Sequence, residues 1–429
     1  MSESPLVQNV TDRHDAGKRR GMMSIGEHER LALRQAWQNH CTALNAVVSD
    51  AIDGKLGDAR DGNELAELVR SIGRISAMSL QHRMDFNDPN FPLFLRQMDD
   101  RFRYGGPDNN IAYFQASLNG GATYRIRGNN GGRTMNIGML WDENITADDD
   151  GTFEVTVSAK EQPGNWTPIP ADLRGDTHIP EIYPAAGSFN IRRYDWDWDS
   201  DLAPGWLSIE RVDEQAPAYP AALEAGQFAA QIENATRLFR AAARWWNQRA
   251  ADVRAHNPVN EITPPSTLPP GVKNYKPPVN AGRPWLFYGI VCLDLGDDEA
   301  IVIETDLPDG AYWSFTLYNM WWESPDIMNR QTSLNQNQTH IDADGKARFV
   351  ISAKDPGVPN WLDSGGPRRG FLHYRWFRPD VKVPVPTSRL VKFDDIAAAM
   401  PSDHPRIDLA GRKAILSKRR EQLAKRFQR

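Results

Sequence analysis

The strongest constraint on this chain is that it repeats itself. Asp148-Asp149-Asp150-Gly151, followed by Phe153, Val155 and Val157 and then Ser158-Ala159-Lys160, is matched by Asp342-Ala343-Asp344-Gly345, followed by Phe349, Ile351 and Ser352-Ala353-Lys354. Gly164-Asn165-Trp166 then matches Pro359-Asn360-Trp361, and upstream Asn119-Gly120-Gly121-Ala122-Thr123-Tyr124 matches Leu307-Pro308-Asp309-Gly310-Ala311-Tyr312. Three matches in one order imply two copies of a unit. Each copy consists of short, partly alternating runs between Gly, Asn and Asp clusters, the pattern of strands and turns. The runs are 112–118, 123–127, 152–158 and 188–194 in the first copy, and 285–295, 300–305, 346–352 and 370–377 in the second. Two tandem β-sandwich or jelly-roll domains follow, with the groove between them a natural ligand site. The copies align less securely at their ends, where Arg375 matches either Arg192 or Arg193. A slip of one residue turns every side chain to the other face, so the register stays open.

The second copy is organised around 311–323, launched by the turn Asp309-Gly310. Alternation sets Trp313, Phe315 and Leu317 on one side of a strand and Tyr312, Ser314, Thr316 and Tyr318 on the other. The first face suits a core, the second a surface or pocket.

Helical periodicity flanks the β segments, giving a mainly β fold with an N-terminal helical pair and linking and C-terminal helices. Leu33, Trp37, Cys41, Leu44 and Val48 form one stripe, and Leu65, Leu68, Ile72 and Ile75 a second, after a glycine-bearing break over 53–62. A long helix is expected over 221–254, with Phe228, Ile232, Ala235, Phe239 and Trp246 on one side. The prolines of 256–284 make that stretch an extended connector. Leu409, Leu416, Leu423 and Phe427 are heptad-spaced, so the terminal helix is expected to dock on the body or to make a homo-oligomer. The division is therefore a flexible arm (1–21), a helical region (22–103), a first sandwich (104–220), helix and linker (221–284), a second sandwich (285–387) and a C-terminal helical extension (388–429).

Composition excludes several classes. A net charge of −6 argues against a general nucleic-acid binder. There is no apolar run of about twenty residues to span a membrane, and residues 1–20 lack the apolar centre of a signal peptide, so a cytoplasmic location is expected. Cys41 and Cys292 lie far apart in apolar settings, which suits buried thiols rather than a disulfide or thiolate metal site.

Tyr312-Trp313-Ser314-Phe315-Thr316-Leu317-Tyr318, Asn329-Arg330, Pro356-Gly357-Val358-Pro359-Asn360-Trp361-Leu362 and the Arg375-Trp376 strand resemble a bacterial group, domain-of-unknown-function family twelve-fourteen. The first copy, with Thr123-Tyr124-Arg125-Ile126-Arg127-Gly128, looks like the same domain again. The resemblance implies a tandem jelly-roll architecture and a catabolic setting, and brings no catalytic residue. Many members place a different unknown domain before this one, where this chain has its helical pair.

The nine histidines are scattered, without His-x-His or His-x-x-x-His spacing, so neither a metal nor any other cofactor is expected. The glycine clusters do not fit phosphate-loop or dinucleotide patterns, and no Gly-x-Ser-x-Gly elbow occurs. The alternating Asp195, Asp197, Asp199 and Asp201 read as an acidic edge that discourages strand pairing. Glu323, beside Trp321 and Trp322, is the carboxyl whose proton affinity desolvation would raise. The expected activity is cofactor-independent acid-base catalysis, of lyase or isomerase type, on an aromatic or hydrophobic small molecule. Glu323 would transfer the proton with Tyr318 or His373 as partner. Tyr312, Trp321, Trp322, Arg330, Asn360, Trp361 and Arg375 would bind the substrate. The alternative is a noncatalytic carbohydrate- or polymer-binding sandwich with stacked aromatics on one face. Asn165 and Asn360, each before a tryptophan, also read as residues that hold turns.

Overall fold

The computed structural model describes residues 26–99, 101–138, 140–169, 187–200, 205–268, 279–280, 283–284, 286–366, 368–379 and 382–427. The arm expected over 1–21 and much of the proline-rich connector lie outside them. Helix α1 (Glu27–Ile52) and helix α2 (Gly62–Asp85) are the N-terminal pair, and Asp61 caps α2 by accepting from the backbone N–H groups of Asn63 and Glu64. The stripe on α1 is rotated from the one expected. Ala36, His40, Ala43 and Ala51 are buried, while Trp37 and Cys41 are exposed. Small residues win this face because a third helix lies against it.

The first β segment contains β1 (Leu95–Gln97), β2 (Ile111–Leu118), β3 (Tyr124–Asn129), β4 (Thr134–Ile137), β5 (Leu140–Trp141), β6 (Thr152–Ser158), β7 (Trp166–Pro168), β8 (Gly187–Tyr194) and β9 (Trp206–Arg211). Helix α3 (Ala225–His256) and the minor hairpin β10 (Val279–Asn280) with β11 (Arg283–Pro284) follow. The second segment contains β12 (Leu286–Asp294), β13 (Glu299–Thr305), β14 (Tyr312–Tyr318), β15 (Ser333–Asn335), β16 (Ala347–Ser352), β17 (Trp361–Asp363), β18 (Arg369–Phe377) and β19 (Thr387–Lys392), and helix α4 (Leu409–Phe427) follows. The sequence reading lacked β19, because the prolines before it look like the end of a domain.

The result is a mainly β protein of two sandwiches with flanking helices. Sheets β1-β2-β8-β4-β5 and β7-β6-β3-β9 close over a core that includes Ile126, Ile137, Val155, Val157 and Ile191. Sheets β12-β18-β14-β15 and β17-β16-β13-β19 close over Ile301, Ile303, Phe315, Phe349, Leu372 and Trp376. Apart from the edge strand β1, the two strand orders correspond one for one. The parallel pair β6·β7 recurs as β16·β17.

Two of the three sequence matches have an atomic basis. Asn165 donates to the carbonyls of Thr146 and Glu154 at 2.7 and 2.9 Å and accepts from the Thr146 N–H. Asn360 does the same with His340 and Arg348, at 2.7 and 2.9 Å. Ser158 and Ser352 each donate to the carbonyl of a lysine two residues on. The third match pairs unlike strands. Tyr124 opens β3, whose topological equivalent is β13, whereas Tyr312 opens β14, the equivalent of β4. Turn residues before an aromatic-led strand recur too readily to fix an alignment. The register left open is resolved. Tyr194 faces Ile111 and Thr134 as Phe377 faces Leu286 and Tyr312, so Arg192 is the counterpart of Arg375.

Helix α3 packs on α1 and α2 and also across the outer face of the β12–β18–β14 sheet. Its Phe239, Ala242, Ala243 and Trp246 share one cluster with Leu68, Ile72, Cys292, Trp321, Trp322 and Phe371. His40 ties the three helices together, with Nδ1 3.0 Å from Thr236 Oγ1 and Nε2 3.2 Å from Ser76 Oγ. The rest of that outer face meets the first sandwich, where Tyr194 stacks on Phe377 with centroids 4.5 Å apart. Every residue of β14 is therefore buried, including the side expected to be a surface or pocket.

Helix α4 docks on the chain itself, through arginines more than through the leucine stripe. Arg412, Arg419 and Arg426 stand seven residues apart, and Arg412 lies over Trp361 and Arg419 over Trp198, each at 4.9 Å. Leu423 is buried, whereas Leu409 is exposed. Among the described residues no helix is long and apolar enough to cross a membrane.

The two asparagine brackets differ in burial, and this gives a direct test. Asn360→Ala strands buried backbone groups and is expected to cost about 2–4 kcal/mol, against roughly 1 kcal/mol for Asn165→Ala nearer solvent. Urea denaturation of both variants measures the difference.

Candidate functional site

The loop before β2 is the unexpected element. Gly106 to Asn110 are all buried, although Gly-Gly-Pro-Asp-Asn-Asn reads as an exposed turn. Gly106 takes a φ of 63°, and a Cβ there would stand 3.0 Å from the Trp322 ring, so the position favours glycine on both counts. Its N–H donates to the Trp322 carbonyl at 2.7 Å. The loop thereby inserts Asp108 between the sandwiches.

Asp108 accepts from both sides. Arg375 Nη1 lies 2.9 Å from Oδ2, the Tyr312 hydroxyl 2.8 Å from each oxygen, and Ser314 Oγ 2.8 Å from Oδ2. Arg375 Nη2 donates to the Gly106 carbonyl at 3.0 Å, and the Tyr318 hydroxyl to the Pro107 carbonyl at 2.9 Å. Burial works against the Asp108 charge, but Arg375, the Asn110 N–H and the two hydroxyls outweigh it and hold the carboxyl below its ordinary range. A narrow cleft lined by Tyr113, Arg426 and Phe427 reaches this network.

Next to the network lies a chamber in outline only, a ring-lined cluster of buried polar atoms that lack partners. Thr316 and His373 face each other across β14 and β18. Thr316 Oγ1, both ring nitrogens of His373 and Trp322 Nε1 are buried without a hydrogen bond. The Tyr288 ring stacks on His373 at 5.2 Å, with Tyr318 and Trp322 at 6.2 and 6.3 Å. Arg249 of α3 covers the chamber from the helical side, its guanidinium 5.5 Å from the Trp322 ring. Among the described residues it has no carboxylate partner, and burial lowers its pKa to about 10. Burial, Arg375 and Arg249 together push His373 well below the usual histidine range, so its imidazole is neutral. On the first sandwich, Asn190 and Arg192 share the strand face of Tyr194 and are exposed.

Trp322 holds a φ of 57°, a conformation rare for a bulky side chain. Stacking on Phe371 at 4.6 Å and hydrogen bonds of Asn319 with the backbone N–H groups of Trp321 and Glu323 keep it there. Backbone strain of this kind concentrates at functional sites.

The residues singled out from the sequence separate into three groups. Tyr318, Trp322, His373, Arg375 and Tyr312 come together at the chamber and its wall. Glu323 and Trp321 face α2: Glu323 is 1% exposed, pairs with Arg74 at 2.9 Å, and is held above the ordinary carboxyl range by burial despite that partner. Trp321 Nε1 donates to the Glu64 carbonyl. Arg330, Asn360 and Trp361 belong elsewhere: Arg330 pairs with Asp363, Asn360 holds its turn, and Trp361 donates to the Ser352 carbonyl beneath Arg412. Asp108, Tyr288, Thr316 and Arg249 were missed. Thr316 alone carried a signal, sharing the strand face of Tyr318. Among the described residues, one group of side chains is suited to a metal ion: His340, Asp342 and His404, on loops beside the β17-β16-β13-β19 sheet.

Residues 293–381 match a family model described as "Protein of unknown function (DUF1214)". An uncharacterised protein from Burkholderia cenocepacia has a similar crystal structure, with a TM-score of 0.71, 25% identity, and coverage of 87% of this chain and 100% of that one. The VPA0106 protein from Vibrio parahaemolyticus is more distant, at a TM-score of 0.37 and 14% identity over 76% of this chain and 99% of its own. The comparison with curated proteins gave no match.

Asp108→Asn leaves the Arg375 charge buried and is expected to destabilise the fold by about 3–5 kcal/mol, whereas Asp108→Leu with Arg375→Met recovers much of the loss. Denaturant titration of the three proteins checks this. Acid is expected to destabilise through two histidines. His373 and His82, the latter lowered to about 3, stay neutral when folded, whereas unfolded histidine gains a proton below about pH 6.5. Each therefore removes about 1.4 kcal/mol per unit as the pH falls below 6.5 toward its folded pKa. Denaturation curves between pH 7 and 5 should lose part of that slope in His82→Gln.

Proposed function

We propose that the chamber binds a small, largely aromatic or otherwise apolar molecule carrying one anionic oxygen group, and performs cofactor-independent proton transfer on it. The observation that carries this reading is the pairing of a neutral imidazole lacking any hydrogen bond with a nearby guanidinium lacking a carboxylate. A desolvated cation beside aromatic rings is an anchor for a carboxylate or phenolate. The Trp322 and Tyr288 rings supply the apolar walls, and Trp322 Nε1 and Thr316 Oγ1 the remaining polar contacts. His373 is the base. It removes a proton from a carbon next to the anchored group, and the C–H electron pair forms the new double bond. In an isomerase the proton returns at another carbon, and in a lyase a neighbouring group departs. Glu323 is assigned to holding the Trp321-Trp322 turn through Arg74.

The carbohydrate- or polymer-binding alternative needs a strip of exposed rings. Burial of Tyr312, Trp313, Trp321, Trp322 and Trp361 counts against it. We also read the two sandwiches as tandem copies of one domain, the first diverged beyond the reach of the family model. Their shared strand order and the two asparagine brackets support this.

The test screens aromatic carboxylates and phenolates by thermal shift, then follows solvent deuterium exchange into bound compounds by NMR. Compounds that raise Tm should bind at least tenfold more weakly to Arg249→Met. His373→Gln should retain binding and lose exchange at least a hundredfold, and Glu323→Gln should retain both at reduced stability. Exchange undiminished in His373→Gln would remove the base from the scheme.

A further inference from the structure

The hairpin leading into β16 brings three possible metal donors together. Asp342 opens its turn, and His340 precedes it by two residues. His404 arrives from the segment after β19, which Ile396 and Met400 anchor on Val302, Val350 and Trp361. Asp342 Oδ1 lies 2.7 Å from His404 Nδ1 and 3.3 Å from His340 Nε2. One ligand atom from each residue falls within 4.8 Å of the others. His404 and Asp342 are buried, and His404 Nε2 is buried with no hydrogen-bond partner. His340 is about a third exposed, which leaves an approach from solvent.

The electrostatics accommodate a cation. Arg348 occupies Asp342 Oδ2 at 2.7 Å and leaves Oδ1 to the histidines. Arg348 also pairs with Asp344 and Glu304, and Lys346 with Glu304. Three carboxylates against two cations leave one negative charge for a cation to meet. In the first sandwich Thr146 and Asp148 stand where His340 and Asp342 stand in the second, so that copy lacks the imidazole.

We propose that His340, Asp342 and His404 form a binding site for a first-row divalent metal ion of the zinc class, with solvent completing the coordination. Two imidazoles and one carboxylate suit such an ion and leave a fourth position open. Tetrahedral coordination sets neighbouring donors about 3.3 Å apart, given ligand bonds of about 2.0–2.1 Å. The His340 to Asp342 spacing already fits, and His404 must withdraw by roughly half an ångström. The site is independent of the chamber.

The experiment titrates chelator-treated full chain with ZnCl2 by calorimetry and with Co(II) by visible absorption. One zinc per chain, with the absorption of a tetrahedral N/O site and a raised Tm, is expected. His340→Ala and His404→Gln should each weaken binding at least tenfold, while His256→Ala should not. Failure to bind one equivalent, or binding unchanged in His340→Ala, overturns the proposal. Should His404→Gln fail to fold, the exposed His340→Ala variant decides alone.

Discussion

The Asp108–Arg375 pair is the contact on which the arrangement of this molecule depends. An ion pair buried between two sandwiches is stabilising only when its remaining hydrogen-bonding capacity is met. Here the Tyr312 and Ser314 hydroxyls, the Asn110 N–H and the Gly106 carbonyl meet most of it, while Arg375 Nη1 has the charge of Asp108 beside it without a well-aligned hydrogen bond. The consequence is positional. Asp108 comes from the loop between β1 and β2 of the first sandwich and Arg375, Tyr312 and Ser314 from the second, so the relative placement of the two is fixed by directional bonds as well as by ring packing.

That placement explains why β14 is apolar on one face and aromatic-polar on the other while both are buried. One face belongs to its own sandwich. The other is shared between the first sandwich and the helices, and the chamber lies where the two coverings meet. Arg249 comes from the helical side, His373 and Thr316 from the sheet, and Arg375 from the border with the first sandwich. A site assembled from three sources in this way depends on all of them being seated.

The period-two and period-3.6 patterns made most of the architecture legible, because they report burial within an element. Strands β2, β6, β8, β14 and β18 and helix α3 follow from them, and the Asn-Trp repeat led to the correspondence of the two halves. What packs against an element is not encoded in its own period. Trp37 lost its expected place to alanines because α3 approaches α1 closely, and β14 has no free face because another domain covers it. The site was half legible for the same reason. Tyr318, His373 and Arg375 share the sheet face that alternation marks out and Trp322 follows in the next turn, whereas Arg249 and Asp108 come from roughly a hundred and more than two hundred residues away, which no local pattern records. Glu323 met the physical criterion used to select it, desolvation beside indoles, but its partner is Arg74 on a helix distant in sequence.

The arginine heptad of α4 bears on how the molecule is made. Arg412 and Arg419 engage the second sandwich, and Arg426 donates to the Asp195 carbonyl of the first. A ribosome releases α4 after every other described element. Until it emerges, Trp198 and Trp361 lack their cationic covers. The clamp across both halves thus closes only after α4 has joined the elements that precede it.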